Sequence, residues 1–128
     1  MSGADKPRTT LQRLAPCPSS PNCVSTLSTS DQHQIAPYRY RGTLAEAKRR
    51  LREVVAAQRG AKIVEEDQTY LHAEFTSRIF RFVDDVEFMF EDETRTIQFR
   101  SASRTGYSDF GVNRNRMEEI RRLLEGKL

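Results

Sequence analysis

The stretch VDDVEFMFEDETRTIQFRSASR, residues 83–104, is the part of the chain that decides the fold. Its apolar and polar alternation predicts two strands, residues 83–91 and 96–104, which a tight turn at Glu93 and Thr94 joins into a hairpin. One face of this hairpin then carries the pairs Phe90 with Ile97, Phe88 with Phe99, Val86 with Ser101, and Asp84 with Ser103. The other face carries the pairs Met89 with Gln98, Glu87 with Arg100, and Asp85 with Ala102. Every pair is chemically compatible, which supports this register.

Three further strands and a helix are predicted before the hairpin. The strand patterns cover residues 36–41, 61–66 and 70–77. Thr43, with Glu46 three residues later, forms a capping-box pair that begins a helix, and Gly60 ends it. The apolar residues of this helix recur at helical spacing and are Leu44, Ala47, Leu51, Val54 and Val55.

A second helix is predicted after the hairpin, at residues 114–125, with Asn113 or Asn115 as its N-cap and Gly126 as its end. Its apolar face comprises Met117, Ile120, Leu123 and Leu124. Helices before and after an antiparallel meander are expected on the apolar face of the sheet. The predicted fold is therefore α+β, a two-layer sandwich in the order β-α-β-β-β-β-α, with an antiparallel sheet of about five strands and two helices on one face.

The amino-terminal part of the chain differs from this body in composition. Residues 1–13 are polar and without periodicity, and we predict a disordered tail. Residues 14–128 are predicted to form one α+β domain that opens with a loop, residues 14–34, rich in Pro, Ser and Cys. A loop of this length is typically functional or disordered, and two cysteines within it favour order.

The overall composition excludes several classes of protein. With 128 residues and 37% hydrophobic residues, the chain is sized for one core. The formal net charge of +3 does not demand a polyanionic partner. No apolar run approaches the ~20 residues of a membrane helix, so we predict a protein without a transmembrane segment, and a cytoplasmic location.

The two cysteines, Cys17 and Cys23, leave three alternatives open. Five residues separate them, so a small disulfide is geometrically feasible if the intervening prolines turn the chain. Two unreactive thiols are the second alternative, and a metal ligand or nucleophile is the third. Neither His33 nor His72 has ligand spacing with the cysteines, so the sequence predicts no metal site. His72 alternates with apolar neighbours and is expected to be exposed.

Two adjacent carboxylates, Asp84 and Asp85, point to opposite faces of one strand and cannot act as a paired acid and base. Asp84 shares its face with apolar side chains, where an isolated carboxylate would be costly, so it must have partners. Ser103, Arg104, Arg114 or backbone amides could serve. We expect a structural tie at the strand end rather than a ligand contact.

Polar groups on the hairpin and after it form the remaining candidates. A ladder of charges is expected across the outer face of three strands, comprising Glu74, Glu87, Arg100 and Arg104. A turn-rich connection then leads to the last helix through Gly106, Tyr107, Asp109, Gly111 and Asn113. The start of that helix, near Arg114, could bind an anion, although a connection that merely caps the helix explains the same residues.

Three motifs follow one another along the chain: CPSSPNCVST at residues 17–26, FVDDVEF at 82–88 and RSASRTGYSDFGVNRNR at 100–116. Together they resemble the domain-of-unknown-function family numbered 1499. The resemblance covers roughly residues 15–124 and implies no assigned activity and no catalytic residues. Some members of that family look exported or membrane-anchored through an N-terminal segment, which this chain is expected to lack.

These patterns favour a non-enzymatic module that binds a small anionic or amphipathic ligand, or a protein partner, without a cofactor. The candidate ligand-binding residues are Asp84, Arg100, Ser103, Arg104, Tyr107, Asp109, Asn113 and Arg114. The alternative is a small hydrolase or isomerase in which Asp84 or Asp109 is a general base and Arg100, Arg104 or Arg114 stabilises an anion. Nucleic-acid binding ranks third because acidic residues interrupt the basic face of the first helix.

Overall fold

In the computed structural model, which describes residues 14–106 and 108–128, two helices pack on an open antiparallel sheet of six strands. The elements are β1 (Cys23–Ser25), β2 (Tyr38–Arg39), α1 (Leu44–Ala56), β3 (Ala61–Asp67), β4 (Tyr70–Thr76), β5 (Val83–Glu91), β6 (Thr96–Ser103) and α2 (Val112–Leu124). The strand order is β1-β6-β5-β4-β3. β1 pairs with residues 100–102 of β6, and β2 pairs with residues 96–97 of the same strand. The predicted α+β class is confirmed. The tail predicted for residues 1–13 lies outside the described residues.

The central hairpin has the predicted register. All seven cross-strand pairs expected from the sequence are present between β5 and β6. Alternation along β5 therefore buries Asp84 with Val86 and Phe88 and leaves Asp85 on the other side. This one register fixes which face each polar side chain of the hairpin occupies.

The main core lies between one face of the sheet and the two helices. Phe88 and Phe99 are fully buried there, and the ring of Tyr38 lies 4.5 Å from that of Phe99. The Tyr38 hydroxyl donates to the Met117 carbonyl at 2.7 Å, so β2 is also bonded to α2. Burial raises the pKa of Tyr38, which keeps this phenol a donor.

The capping box of α1 is confirmed, because the Thr43 side chain accepts from the Glu46 amide and the Glu46 carboxylate accepts from the Thr43 amide. The helix ends at Ala56, before Gly60. Gly60 has φ 78°, and a Cβ there would lie 2.4 Å from the Thr76 carbonyl oxygen. This close approach requires glycine where the chain enters β3.

Two features of the sequence interpretation are wrong. The helix α2 begins at Val112, and its N-cap is Gly111 with φ 82°, not Asn113 or Asn115. Asn113 lies inside the helix and is fully buried. The predicted loop also contains β1, whose three residues were too few to give a pattern. Their pairing with β6 is what raises the strand count from about five to six.

The amino-terminal segment covers part of the outer face of the sheet. Leu14 and Leu27 pack there against Tyr70 and Met89, away from the main core. None of the helices in the described part of the chain is long and apolar enough to cross a membrane.

Candidate functional site

A cleft of about 1100 Å³ opens at the end of the sheet where β4 and β5 are joined and where α2 begins. Its walls are largely apolar and include Phe75, Phe80, Phe82, Phe110 and Val112. The rings of Phe80 and Phe82 stack with centroids 5.7 Å apart. Such a volume is large enough for a small organic ligand.

The connection that supplies one wall is residues 77–82, SRIFRF, which we call the aromatic loop. Its ends are joined by two hydrogen bonds, from the Ser77 amide to the Phe82 carbonyl at 2.8 Å and from the Phe82 amide to the Ser77 hydroxyl at 2.9 Å. Phe80 and Phe82 nevertheless remain 73% and 58% exposed. Hydrogen bonds between its two ends close the loop, while its aromatic rings face solvent.

The floor of the cleft contains a buried ion pair. Arg116 on α2 donates from Nη2 to Oδ2 of Asp84 at 2.7 Å, and the two side chains are only 14% and 11% exposed. The Arg116 guanidinium also lies 4.6 Å from the ring centroid of Phe75, a cation–π geometry. Ser103 lies opposite Asp84 as expected, but the charged partner is Arg116 and not Arg104 or Arg114.

Asn113 links this pair to the rest of the fold. Its Nδ2 donates to Ser103 Oγ at 3.0 Å and to Asp109 Oδ2 at 2.8 Å, while its Oδ1 accepts from Ser101 Oγ at 2.6 Å and Arg116 Nη1 at 2.9 Å. All hydrogen-bonding atoms of the amide thus have partners. Asn113 fixes the orientation of the guanidinium that Asp84 neutralises.

Asp109 precedes α2 and caps its first turn with its side chain. Its carboxylate accepts from the amides of Gly111 and Asn113, both at 2.9 Å, and from Asn113 Nδ2. Burial raises the pKa of Asp109, but the hydrogen bonds from Asn113 and Gly111 outweigh it, so the net shift is downward. A carboxylate held in this way is a capping group and a poor general base at neutral pH.

Two arginines that line the cleft have no acidic partner among the described residues. Its acidic residues are each bonded to a donor: Asp84 to Arg116, Asp109 to amides, and Glu119 to Arg122. Arg59 and Arg78 also line the cleft, and within residues 14–106 and 108–128 neither forms an ion pair. The rim is therefore suited to an anionic group.

The loop that the disulfide closes, residues 17–23, contacts the same hydrogen-bond network. Cys17 and Cys23 are joined with an S–S distance of 2.06 Å. Between them, the Asn22 carbonyl accepts from the Ser103 amide at 3.0 Å and from Asn113 Nδ2 at 3.3 Å, and Asn22 Nδ2 donates to the Gly106 carbonyl at 2.7 Å. This loop thereby holds the β6 end and the connection to α2 in place.

Other predicted site residues lie elsewhere. Arg104 is on the outer face, where it binds Asp85 at 2.7 Å and Glu74 at 2.6 Å. Arg100 donates to the Pro16 carbonyl at 3.4 Å, and Arg114 donates to the Gln32 carbonyl at 3.2 Å. None of these arginines lines the cleft, whereas Asp84, Ser103 and Asp109 do, with Asn113 beneath them. Tyr107 lies outside the described residues.

The charged ladder on the outer face does not contain all four of the residues that were predicted for it. Glu74 and Arg104 belong to it, but Glu87 accepts from the Tyr70 hydroxyl. His72 was expected to be exposed, yet its side chain is only 22% exposed and lies 2.8 Å from Asp85. The hydrogen bond from Arg104 lowers the pKa of Asp85, burial opposes this, and His72 adds to the lowering.

The cleft walls were missed because no polar motif marks them. The residues that form the site are Arg116, Phe75, Phe80, Phe82 and Phe110. The sequence does not indicate which aromatic side chains are exposed. The available signal was that arginine is interspersed with Ile79, Phe80 and Phe82 between the strands predicted at residues 70–77 and 83–91, since connections between strands are ordinarily polar.

Fold and cleft together define an α+β domain with an apolar cleft closed at its base by a buried ion pair. The family described as Protein of unknown function (DUF1499) matches residues 13–124, and the chain belongs to that family. The resemblance seen in the three sequence motifs is thus confirmed. No curated protein and no solved structure matches the chain.

Proposed function

We propose that the protein is a non-enzymatic binding module whose cleft takes one small amphipathic molecule with an anionic head group. The observation that carries the proposal is the coincidence of exposed aromatic rings with unpaired arginines around one cleft of about 1100 Å³. Exposed apolar surface clustered in a concavity is the usual sign of a ligand site.

The apolar part of the ligand would lie between the aromatic loop and the start of α2. Phe82 is 58% exposed and Phe110 is 93% exposed, so both rings have area to bury. Full burial of such a side chain contributes roughly 1.5–3 kcal/mol, and half-exposed rings contribute correspondingly less. A micromolar affinity corresponds to about 8 kcal/mol, so the rings supply only part of it, and burial of the ligand's own apolar surface together with its head-group contacts must supply the rest.

The anionic head group would lie at the rim rather than at the floor. Arg116 is already neutralised by Asp84 and held by Asn113, whereas Arg59 and Arg78 are exposed. A flexible rim arginine can turn its planar guanidinium to a carboxylate, sulfate or phosphate. The hydrolase or isomerase alternative gains no support from Asp109, because its carboxylate is occupied by hydrogen bonds.

The test is calorimetric titration of the full chain with decyl sulfate below its micellar concentration, beside decyltrimethylammonium. We expect saturable binding of the sulfate and at least tenfold weaker binding of the cation. Phe82→Ala should weaken decyl sulfate binding about tenfold, and Arg78→Ala about fivefold. The matched controls are Val64→Ala on β3 and Arg39→Ala on β2, both exposed and outside the cleft lining. Equal binding of both amphiphiles, or equal effects of the controls, would refute the proposal.

A further inference from the structure

We propose that the mouth of the cleft docks on the surface of an anionic phospholipid bilayer. The docking surface, which we call the apolar patch, comprises Ile79, Phe80, Phe82, Phe110 and Val112. Among the described residues, five of the six exposed large hydrophobic side chains lie in this patch, and Val64 is the sixth. Scattered exposed apolar residues are normal, but their collection at one end of the molecule is not.

The exposures within the apolar patch distinguish a docking surface from cleft lining. Ile79 is 80% exposed and is not part of the cleft lining, and Phe110, which does line the cleft, is 93% exposed. Phe80 lines the cleft and is also 73% exposed. A ligand inside the cleft would leave Ile79 and the outward parts of the other rings uncovered, and a second partner at the mouth of the cleft would bury them.

The charge pattern selects a bilayer as that partner. Arg78 and Arg81 alternate with the apolar residues of the aromatic loop, which has no acidic residue, and Arg59 lies at the same cleft. All three arginines are exposed, and within residues 14–106 and 108–128 none forms an ion pair. Aromatic and aliphatic side chains that enter the acyl boundary beside arginines at the phosphate level are typical of interfacial anchors.

A second copy of the chain is a poorer partner for the same patch. A twofold interface would bring the arginine-bearing patch of one protomer against the same patch of the other, so that two sets of positive charges would face each other. An anionic bilayer instead provides an apolar interior for the exposed side chains and a negatively charged surface for the arginines. Docking would also bring the cleft opening to the membrane, so that an anionic lipid could be the amphipathic ligand. This last point rests on the proposed function, whereas the docking itself does not.

The experiment is co-sedimentation of the full chain with phosphatidylcholine vesicles and with vesicles that contain about one third phosphatidylglycerol. We expect binding to the anionic vesicles, weakened by salt, and at least tenfold weaker binding to the neutral ones. Binding to both vesicle types alike would overturn the role of charge, and binding to neither would overturn the docking.

Two pairs of variants locate the contact. Arg78→Glu removes a positive charge and adds a negative one, so it should weaken vesicle binding about 30-fold. Arg39→Glu makes the same change beside Thr96, at the opposite end of β6, and should have less than a twofold effect. Phe110→Ala should weaken binding about tenfold, and Val64→Ala should not. Equal losses within either pair would overturn the assigned surface.

Two further measurements separate this inference from its competitors. Sedimentation equilibrium should show a monomer, and a dimer that Phe110→Ala dissociates would replace the bilayer by a second copy. Decyl sulfate titration without vesicles reports on the cleft alone. Vesicle binding that persists without decyl sulfate binding would refute the proposed function and leave the docking standing, and the converse would refute only the docking.

Discussion

Asp84 and Asp85 are neighbours in the chain, yet they belong to charged networks of two different kinds. Asp84 points to the inner face of the sheet, where its side chain is 11% exposed and is bonded to Arg116. Asp85 points to the outer face, where its partner Arg104 is 46% exposed. The difference shows that the face of a strand, rather than proximity in sequence, determines what a carboxylate contributes.

The two networks also differ in what supports them. Arg116 is fixed by Asn113 and by the ring of Phe75, so the inner pair is part of a largely buried, hydrogen-bonded network. Arg104 reaches Asp85 and Glu74 across an open surface, where solvent screens both pairs. We therefore expect the inner network to be sensitive to substitution and the outer one to be tolerant.

The largest expected effect tests the register of β5, on which the contrast between the inner and outer faces depends. Phe88 shares the inner face with Asp84 and is fully buried, so Phe88→Ala should lower the free energy of unfolding by about 3–5 kcal/mol. Phe82, 58% exposed, is the matched control, and Phe82→Ala should cost less than ~1 kcal/mol. Urea unfolding measures both. A neutral Phe88→Ala would mean that the inner face is assigned wrongly.

The next largest effect should distinguish the adjacent carboxylates directly. Asp84→Ala leaves the charge of Arg116 without its partner in a buried floor, which should cost about 2–3 kcal/mol, below the 3–5 kcal/mol of a fully buried pair. Asp85→Ala on the outer face should cost less than ~1 kcal/mol. Equal losses of unfolding free energy in urea would remove the distinction between the two networks.

Asp84→Asn separates a structural tie from a ligand contact. The amide keeps the shape and one acceptor but loses the charge, so we expect a loss of about 1 kcal/mol of stability. Decyl sulfate binding should stay within about twofold of the wild type, because the head group is assigned to rim arginines. An unchanged melting temperature together with lost binding would instead make Asp84 a ligand-binding residue.

The sequence predicted the hairpin well because its register follows from alternation and pair chemistry, which are local properties. It did not identify Arg116 as the partner of Asp84, because that contact joins residues 32 positions apart through the packing of α2 on the sheet. Asn113 was assigned to a cap for a related reason. Asparagine is common at helix starts, and only the tertiary contacts with Ser101 and Ser103 explain its burial inside the helix.

A smaller effect concerns pairing within the outer face. A double-mutant cycle on Glu74 and Arg104, bonded at 2.6 Å, should give a coupling of about 0.3–1 kcal/mol. The cycle on Glu87 and Arg100 should give nearly zero, because these cross-strand neighbours bond to Tyr70 and to the Pro16 carbonyl instead. A coupling above 2 kcal/mol in either cycle would show that the outer face is desolvated.

The smallest expected effect is a pH dependence that belongs to Asp85. Its pKa is lowered in the folded protein, chiefly by the hydrogen bond from Arg104, against an ordinary value of 3.8. The associated stability is therefore fully present above that ordinary value and is lost as the pH falls through the lowered pKa. Because the partner is half-exposed, the loss should be under ~1 kcal/mol.

Urea unfolding at pH 6 and pH 3 of the wild type and of Asp85→Asn measures this contribution. Asp109 and Glu119 also have lowered pKa values, so both proteins should lose stability in acid. The wild type should lose more than the variant, and the difference between the two losses is the part that Asp85 supplies. If both proteins lose the same free energy, the outer network contributes nothing to acid stability and Arg104 stabilises Asp85 too weakly to matter.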